Sequence, residues 1–187
     1  MTDYNPLDDE LEEPASHNRR VALIISVLAL LLTLAEILGQ SAQTRALQSN
    51  IEASNIWSFY QAKHMRETAL KIAADEMETN LIGINDEQRR KAMQQRIAEW
   101  RATASHYESD SATKEGRKEL AERAKEAEGL RDKAEQQHHR YELAKGSFQI
   151  GIVVASASII TDVWPLLWAT WGLGGLGLLF LFLGMVI

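Results

Sequence analysis

The chain has 187 residues and a formal net charge of −6, with 45% hydrophobic and 25% charged residues, an average that matches an ordinary soluble domain. The distribution is uneven: of 46 charged side chains, 36 lie between Gln40 and Gly146, 18 basic and 18 acidic, while Val21–Gly39 and Ser147–Ile187 carry one acid each. The absence of cysteine excludes a disulfide scaffold, a thiolate nucleophile and a Cys-ligated metal site, and with no basic excess to follow a phosphate backbone, nucleic acid is not an expected partner.

Residues 1–20 carry six acids and two arginines and read as a polar acidic tail expected to be disordered. Residues 21–39, VALIISVLALLLTLAEILG, span roughly 28 Å as a helix, close to a hydrocarbon core, and predict one transmembrane helix. A cleaved signal peptide is the competing reading, since Arg19 and Arg20 precede the apolar run. The run is longer than the usual signal core, and no clean A-x-A-like site follows it.

Residues 40–146 predict a helical extramembrane domain, a long hairpin or coiled-coil-like arrangement. No proline or glycine interrupts Gln40–Ile82, and Ala, Leu, Gln, Glu, Lys and Met dominate, so the first membrane helix should continue into water. Gly83 should end it and Asn85 or Asp86 should cap the next helix. Met93, Ile97, Trp100, Ala104 and Tyr107 then recur at three- and four-residue steps and need a partner face. Ser109, Asp110, Ser111 and Thr113 form a polar break. Beyond it, Leu120, Ala124, Ala127, Ala134, His138 and Tyr141 make a thin, alanine-rich seam. The outgoing leg has 43 residues and the return from Asp86 has 61, a surplus of about 27 Å for straight helices. A bend or a third helix near Asp110 should absorb it.

Residues 147–187 carry a single charge and are too long for one span, so they predict two, residues 147–163 and 164–187. Asp162, Trp164 and Pro165 mark the turn between them. Trp164, Trp168 and Trp171 suit the headgroup level. Ser147, Gly151 and Ala155 form a stripe of small residues on the second span, fit for packing within the hairpin or between copies.

Catalytic constellations are hard to assemble from these residues. Of five histidines only His138 and His139 are close in sequence, and adjacent helical residues point about 100° apart, so neither a metal site nor a cofactor is expected. Glu36 and Asp162 are the carboxylates in or beside the apolar segments, and such groups raise the question of an ion path. Both fall near predicted interfaces, where their heads stay hydrated.

Ile51–Lys63 reads IEASNIWSFYQAK, and with Glu52, Ala53, Ser54, Asn55, Trp57, Tyr60, Gln61, Ala62 and Lys63 it resembles the signature of bacterial membrane proteins grouped as domain of unknown function 4337. The likeness extends to the order of segments: polar head, one span, helical middle, two-span hairpin. It implies a bacterial envelope protein and no catalytic residues. The family often carries arginines in the hairpin loop, and this sequence does not. Read physically, Asn55, Trp57, Tyr60, Gln61 and Lys63 should dock the return helix or meet a partner, with docking favoured because a helical hairpin must bury its aromatics.

Orientation follows from charge. Arg19 and Arg20 outnumber Arg45 across the first span, which sets the N-terminus in the cytoplasm and the helical domain in the periplasm; Arg140 and Lys145 argue the opposite for the second span. The sequence thus predicts an all-α inner-membrane protein with three transmembrane helices. Its partners are the lipid bilayer and either a second copy, as a homo-oligomer, or another membrane protein. It is expected to be no enzyme but a structural or interaction module, with a channel or transporter accessory subunit as the alternative.

Overall fold

The structure, a computed structural model, describes residues 6–110, 112–161 and 163–186, with side chains described from residue 18 onward. The chain is all-α: α1 (Pro6–Asn80), α2 (Glu87–Glu108), α3 (Arg117–Thr161) and α4 (Pro165–Val186), with no strand among the described residues. It divides into two compact units, Met1–Ala46 with Asp132–Ile187, and Leu47–Arg131. Three helices, residues 18–80 of α1, α3 and α4, are long and apolar enough to cross a membrane. The first helix, α1, is described from Pro6 onward.

In the unit built from Met1–Ala46 and Asp132–Ile187, the buried positions recur at sevens. Val21, Leu28, Ala35 and Ala42 on α1, Tyr141, Phe148 and Ala155 on α3, and Thr170, Gly177 and Gly184 on α4 are all buried. Such spacing holds one helix face against its neighbours over many turns. Leu28, Ala35, Ala144, Phe148 and Leu181 form the core, flanked by Ile24, Leu31, Leu32, Ile152 and Phe180. Glycines decide how close the helices come. A Cβ on Gly177 would sit 2.5 Å from the Phe148 ring and one on Gly184 would sit 2.6 Å from the Tyr141 ring; both rings therefore rest directly on the α4 backbone. Gly172 and Gly175 face open space.

The unit Leu47–Arg131 has a smaller core of Ala53, Ile56, Leu120, Ala124 and Ala127, with Trp57 and Tyr60 packed against it. On α2 the predicted apolar face turns inward: Ile97 and Ala104 are buried and Met93, Trp100 and Tyr107 half-buried. Arg101 ties α2 to α1 through Asp75 and Glu78. Gly83, at φ +99°, makes the first reversal with a left-handed conformation that a side chain would strain. Asp86 then caps α2 by accepting from the backbone N–H groups of Gln88 (2.9 Å) and Arg89 (3.2 Å). The surplus in the return leg goes into a second reversal between α2 and α3. There Asp110 Oδ1 accepts from the N–H groups of Ala112 (3.1 Å) and Thr113 (3.2 Å). Gly116 passes so near the other side of this loop that a Cβ would lie 2.3 Å from Asp110 N.

Candidate functional site

The side chains richest in chemistry lie where α1 meets the start of α3 in the unit Leu47–Arg131. Along α1, Ala53, Tyr60, Glu67 and Ala74 recur at sevens, and Ala53, Glu67 and Ala74 are buried. Tyr60, half-buried on the same face, lies edge-on to Trp57 with ring centroids 5.2 Å apart. The Trp57 indole N–H donates to Glu128 Oε1 across to α3 at 2.9 Å, which satisfies its polar atom while the ring covers the core. Lys63, its side chain 15% exposed, is held by Glu115 at 3.7 Å and lies over the rings of Tyr107 (5.6 Å) and Phe59 (6.0 Å).

One turn further along is a nearly buried ion network centred on Glu67, whose side chain is 3% exposed. Its Oε1 accepts from Lys71 Nζ at 2.6 Å and its Oε2 lies 3.3 Å from Arg117 Nε. Arg117 reaches further: its Nη1 is 2.7 Å from His64 Nδ1 and its guanidinium sits 5.7 Å over the Tyr60 ring. A guanidinium can only donate, so His64 Nδ1 accepts and this contact requires a neutral imidazole. Lys71 is held above its ordinary pKa, chiefly by its hydrogen bond to Glu67 and then by the charges of Glu67 and Glu108. Lys118 holds the Glu108 carboxyl below its usual range. At the adjacent reversal the Asp110 carboxyl is lowered by Thr113, through its hydroxyl first and its N–H second, and Glu119 is lowered first by the Ser109 hydroxyl.

The predicted residues separate by face. Trp57, Tyr60 and Lys63 turn toward α3 and α2, whereas Asn55 and Gln61 are exposed; Asn55 borders a shallow groove of about 240 Å³ with Ile56, Phe59, Glu115, Leu120 and Arg123. In the other unit Ser147, Gly151 and Ala155 all turn inward. A Cβ on Gly151 would lie 3.5 Å from Leu28 Cδ1 and 3.6 Å from Leu173 Cβ, so this stripe packs within one chain, between α1 and α4. Glu36 is exposed and lies 3.9 Å from Lys145, close to where His138 Nδ1 meets the Gly39 carbonyl at 3.0 Å. Asp162 lies outside the described residues. Among the described residues no three His, Asp or Glu side chains gather as a metal site would require.

Residue type alone does not single out Glu67 or Arg117. The signal for Glu67 was its place, seven residues after Tyr60 and fourteen after Ala53 on a face that must be covered. Nothing local marks Arg117 as its partner, because their proximity comes from the two reversals between them.

An all-α chain with three membrane-length helices and a helical unit pinned by internal ion pairs is thus the class that fold and site define. The family model described as Domain of unknown function (DUF4337) matches residues 17–187, and the chain belongs to that family. Neither the curated proteins nor the solved structures contain a match to it.

Proposed function

We propose that this chain is a non-enzymatic bacterial inner-membrane protein that acts as a structural or interaction module, self-associating or binding a membrane partner through its helical unit. The observation that carries the reading is the exposed apolar surface of the membrane-length segments of α1, α3 and α4. Leu23, Leu30, Ile37, Val153, Ile160 and Phe182 face outward at 62% exposure or more, while Ser147, Ser158 and Thr170 are buried. Water would penalise that arrangement and hydrocarbon favours it. Ser147 and Thr170 donate to the carbonyls of Leu143 and Leu166 one turn back, the way hydroxyls are satisfied inside lipid. At one end of the unit Trp164, Trp168 and Trp171 are exposed, as suits the headgroup level, and Arg19 and Arg20 precede the first span, which favours a cytoplasmic N-terminus and a periplasmic helical unit.

The helical unit supports the second half of the reading. Its charged and aromatic groups hold one another, Arg117 with Glu67 and His64, Trp57 with Glu128, which is the pattern of a scaffold that presents an outer surface. Isolation of the intact chain in mild detergent, with mass measurement and identification of co-isolated proteins, tests it. Oligomers or a stoichiometric partner are expected, and a monomer without a partner would reject it. Impermeant thiol labelling of Gln94→Cys and Val163→Cys variants in cells with a permeabilised outer membrane tests the orientation. The first should react and the second should not.

A further inference from the structure

The α1 segment of the unit Leu47–Arg131 has a second face that its own fold does not use. Opposite the buried line of Ala53, Tyr60, Glu67 and Ala74 run Leu47, Ile51, Ser54, Ser58, Ala62, Met65, Ala69 and Ile72, in steps of three and four residues, and all eight are exposed. None is charged, and the four large ones are well out in solvent: Leu47 57%, Ile51 60%, Met65 68% and Ile72 61%. The face directly away from the core is where a bundle helix normally carries its charges. Here the charges stand to the sides, at Glu52, Arg66 and Asp75. A helix that is apolar on two opposite faces is built to be covered on both.

We infer that this stripe is the seam along which a second copy of the chain packs, α1 against α1 in parallel. The inference rests on the proposed self-association and names its surface. Two features of the stripe select a like helix as the occupant. Ile51, Ser58, Met65 and Ile72 lie seven apart, the repeat that keeps a seam straight between two similar helices. In a parallel two-fold pair each of these residues meets its own counterpart, and with no charge on the seam nothing repels. The stripe extends 26 residues from Leu47 to Ile72, about 37 Å of helix, long enough for a stable two-helix contact. Copies anchored in one bilayer face the same way, so the parallel pair is also the one the proposed topology permits.

Bismaleimide cross-linking of single-cysteine variants in native membranes tests the seam, since the chain has no cysteine of its own. Ser58→Cys and Met65→Cys should move the chain from the monomer band to the dimer band, while Gln94→Cys on the exposed side of α2 and Lys125→Cys on α3 should leave it monomeric. A Met65→Lys variant, on a face away from the core, should keep full helicity by circular dichroism and shift the detergent-solubilised mass from oligomer to monomer. If the wild-type chain is oligomeric but cross-links at Gln94 or Lys125 and not on the stripe, or stays oligomeric with Met65→Lys, the seam is overturned and self-association stands. If the chain is monomeric with a different bound protein, both the seam and self-association are overturned and the partner-binding reading remains.

Discussion

Glu67 shows what a single residue can impose on this fold. A carboxylate with a 3% exposed side chain gives up most of its hydration, and the attraction of Arg117 and Lys71 must replace it; such a pair seldom adds net stability over apolar residues of similar size, yet losing one partner is severe. Arg117→Met should therefore lower stability by about 3 to 5 kcal/mol, toward the smaller value because Lys71 still holds Oε1 at 2.6 Å. Adding Glu67→Leu should recover most of the loss, since no charge is then left buried. Thermal unfolding of the detergent-solubilised protein followed by circular dichroism measures both variants. A double variant as unstable as Arg117→Met alone would show that Arg117 acts through Tyr60 or His64 rather than through Glu67. The same residue marks a limit of sequence reading. Trp57 and Tyr60 are visible as aromatics that need cover, whereas a glutamate amid 36 charged residues between Gln40 and Gly146 looks solvated until its face is followed.

At the scale of the element, reversals and glycines carry the specificity that long helices lack. Gly83 and Asp86 are readable in advance because a left-handed turn and an N-cap have strong residue preferences, and the break at Asp110 is readable from its polar cluster. Its closure is not: Glu119 accepts from the Ser109 hydroxyl at 2.6 Å only once α3 has turned back over the loop. Glu108, Asp110 and Glu119 all have lowered pKa values. A lowered folded-state value means stability that is present above the ordinary carboxylate pKa and lost as pH falls through the folded one. The melting temperature should accordingly begin to drop below about pH 4, and Asp110→Asn, which can still cap the loop, should flatten that decline. An unchanged acid limb would remove Asp110 from the account. Glycines on α4 divide just as sharply, though composition alone makes them look alike. Gly177→Leu must displace the Phe148 ring and should leave the protein prone to proteolysis in membranes. Gly172→Leu meets nothing within 4 Å and should be tolerated; equal protease sensitivity of the two would contradict the ring-on-glycine packing.

Across the whole molecule the all-α architecture was legible from composition, which marks three helices long and apolar enough to cross a membrane apart from a charged helical middle. The 19-residue apolar run, the 41-residue segment with one charge and the charged middle are visible as composition, and the reversals after α1 and α2 fall near Gly83 and Asp110. What stayed hidden is how each unit covers itself, since the seven-residue lines of α1, α3 and α4 assign partners only after folding. The membrane reading makes one demand that the five tryptophans can report. Trp164, Trp168 and Trp171 are 64–70% exposed on a unit whose outer surface is apolar, whereas Trp57 and Trp100 are half-buried in the helical unit. In vesicles of brominated phospholipid the first three should be quenched, and lipids brominated near the headgroup should quench them more than lipids brominated at the chain ends, because indole prefers the interface. A Trp164→Phe, Trp168→Phe, Trp171→Phe triple variant should retain the emission of Trp57 and Trp100 and lose nearly all of the quenching. Quenching that persists in the triple variant would mean that the helical unit also contacts lipid. The absence of quenching in the unsubstituted chain would remove the bilayer from around α4, and with it the reason for a unit that exposes Leu23, Leu30, Leu178 and Leu179.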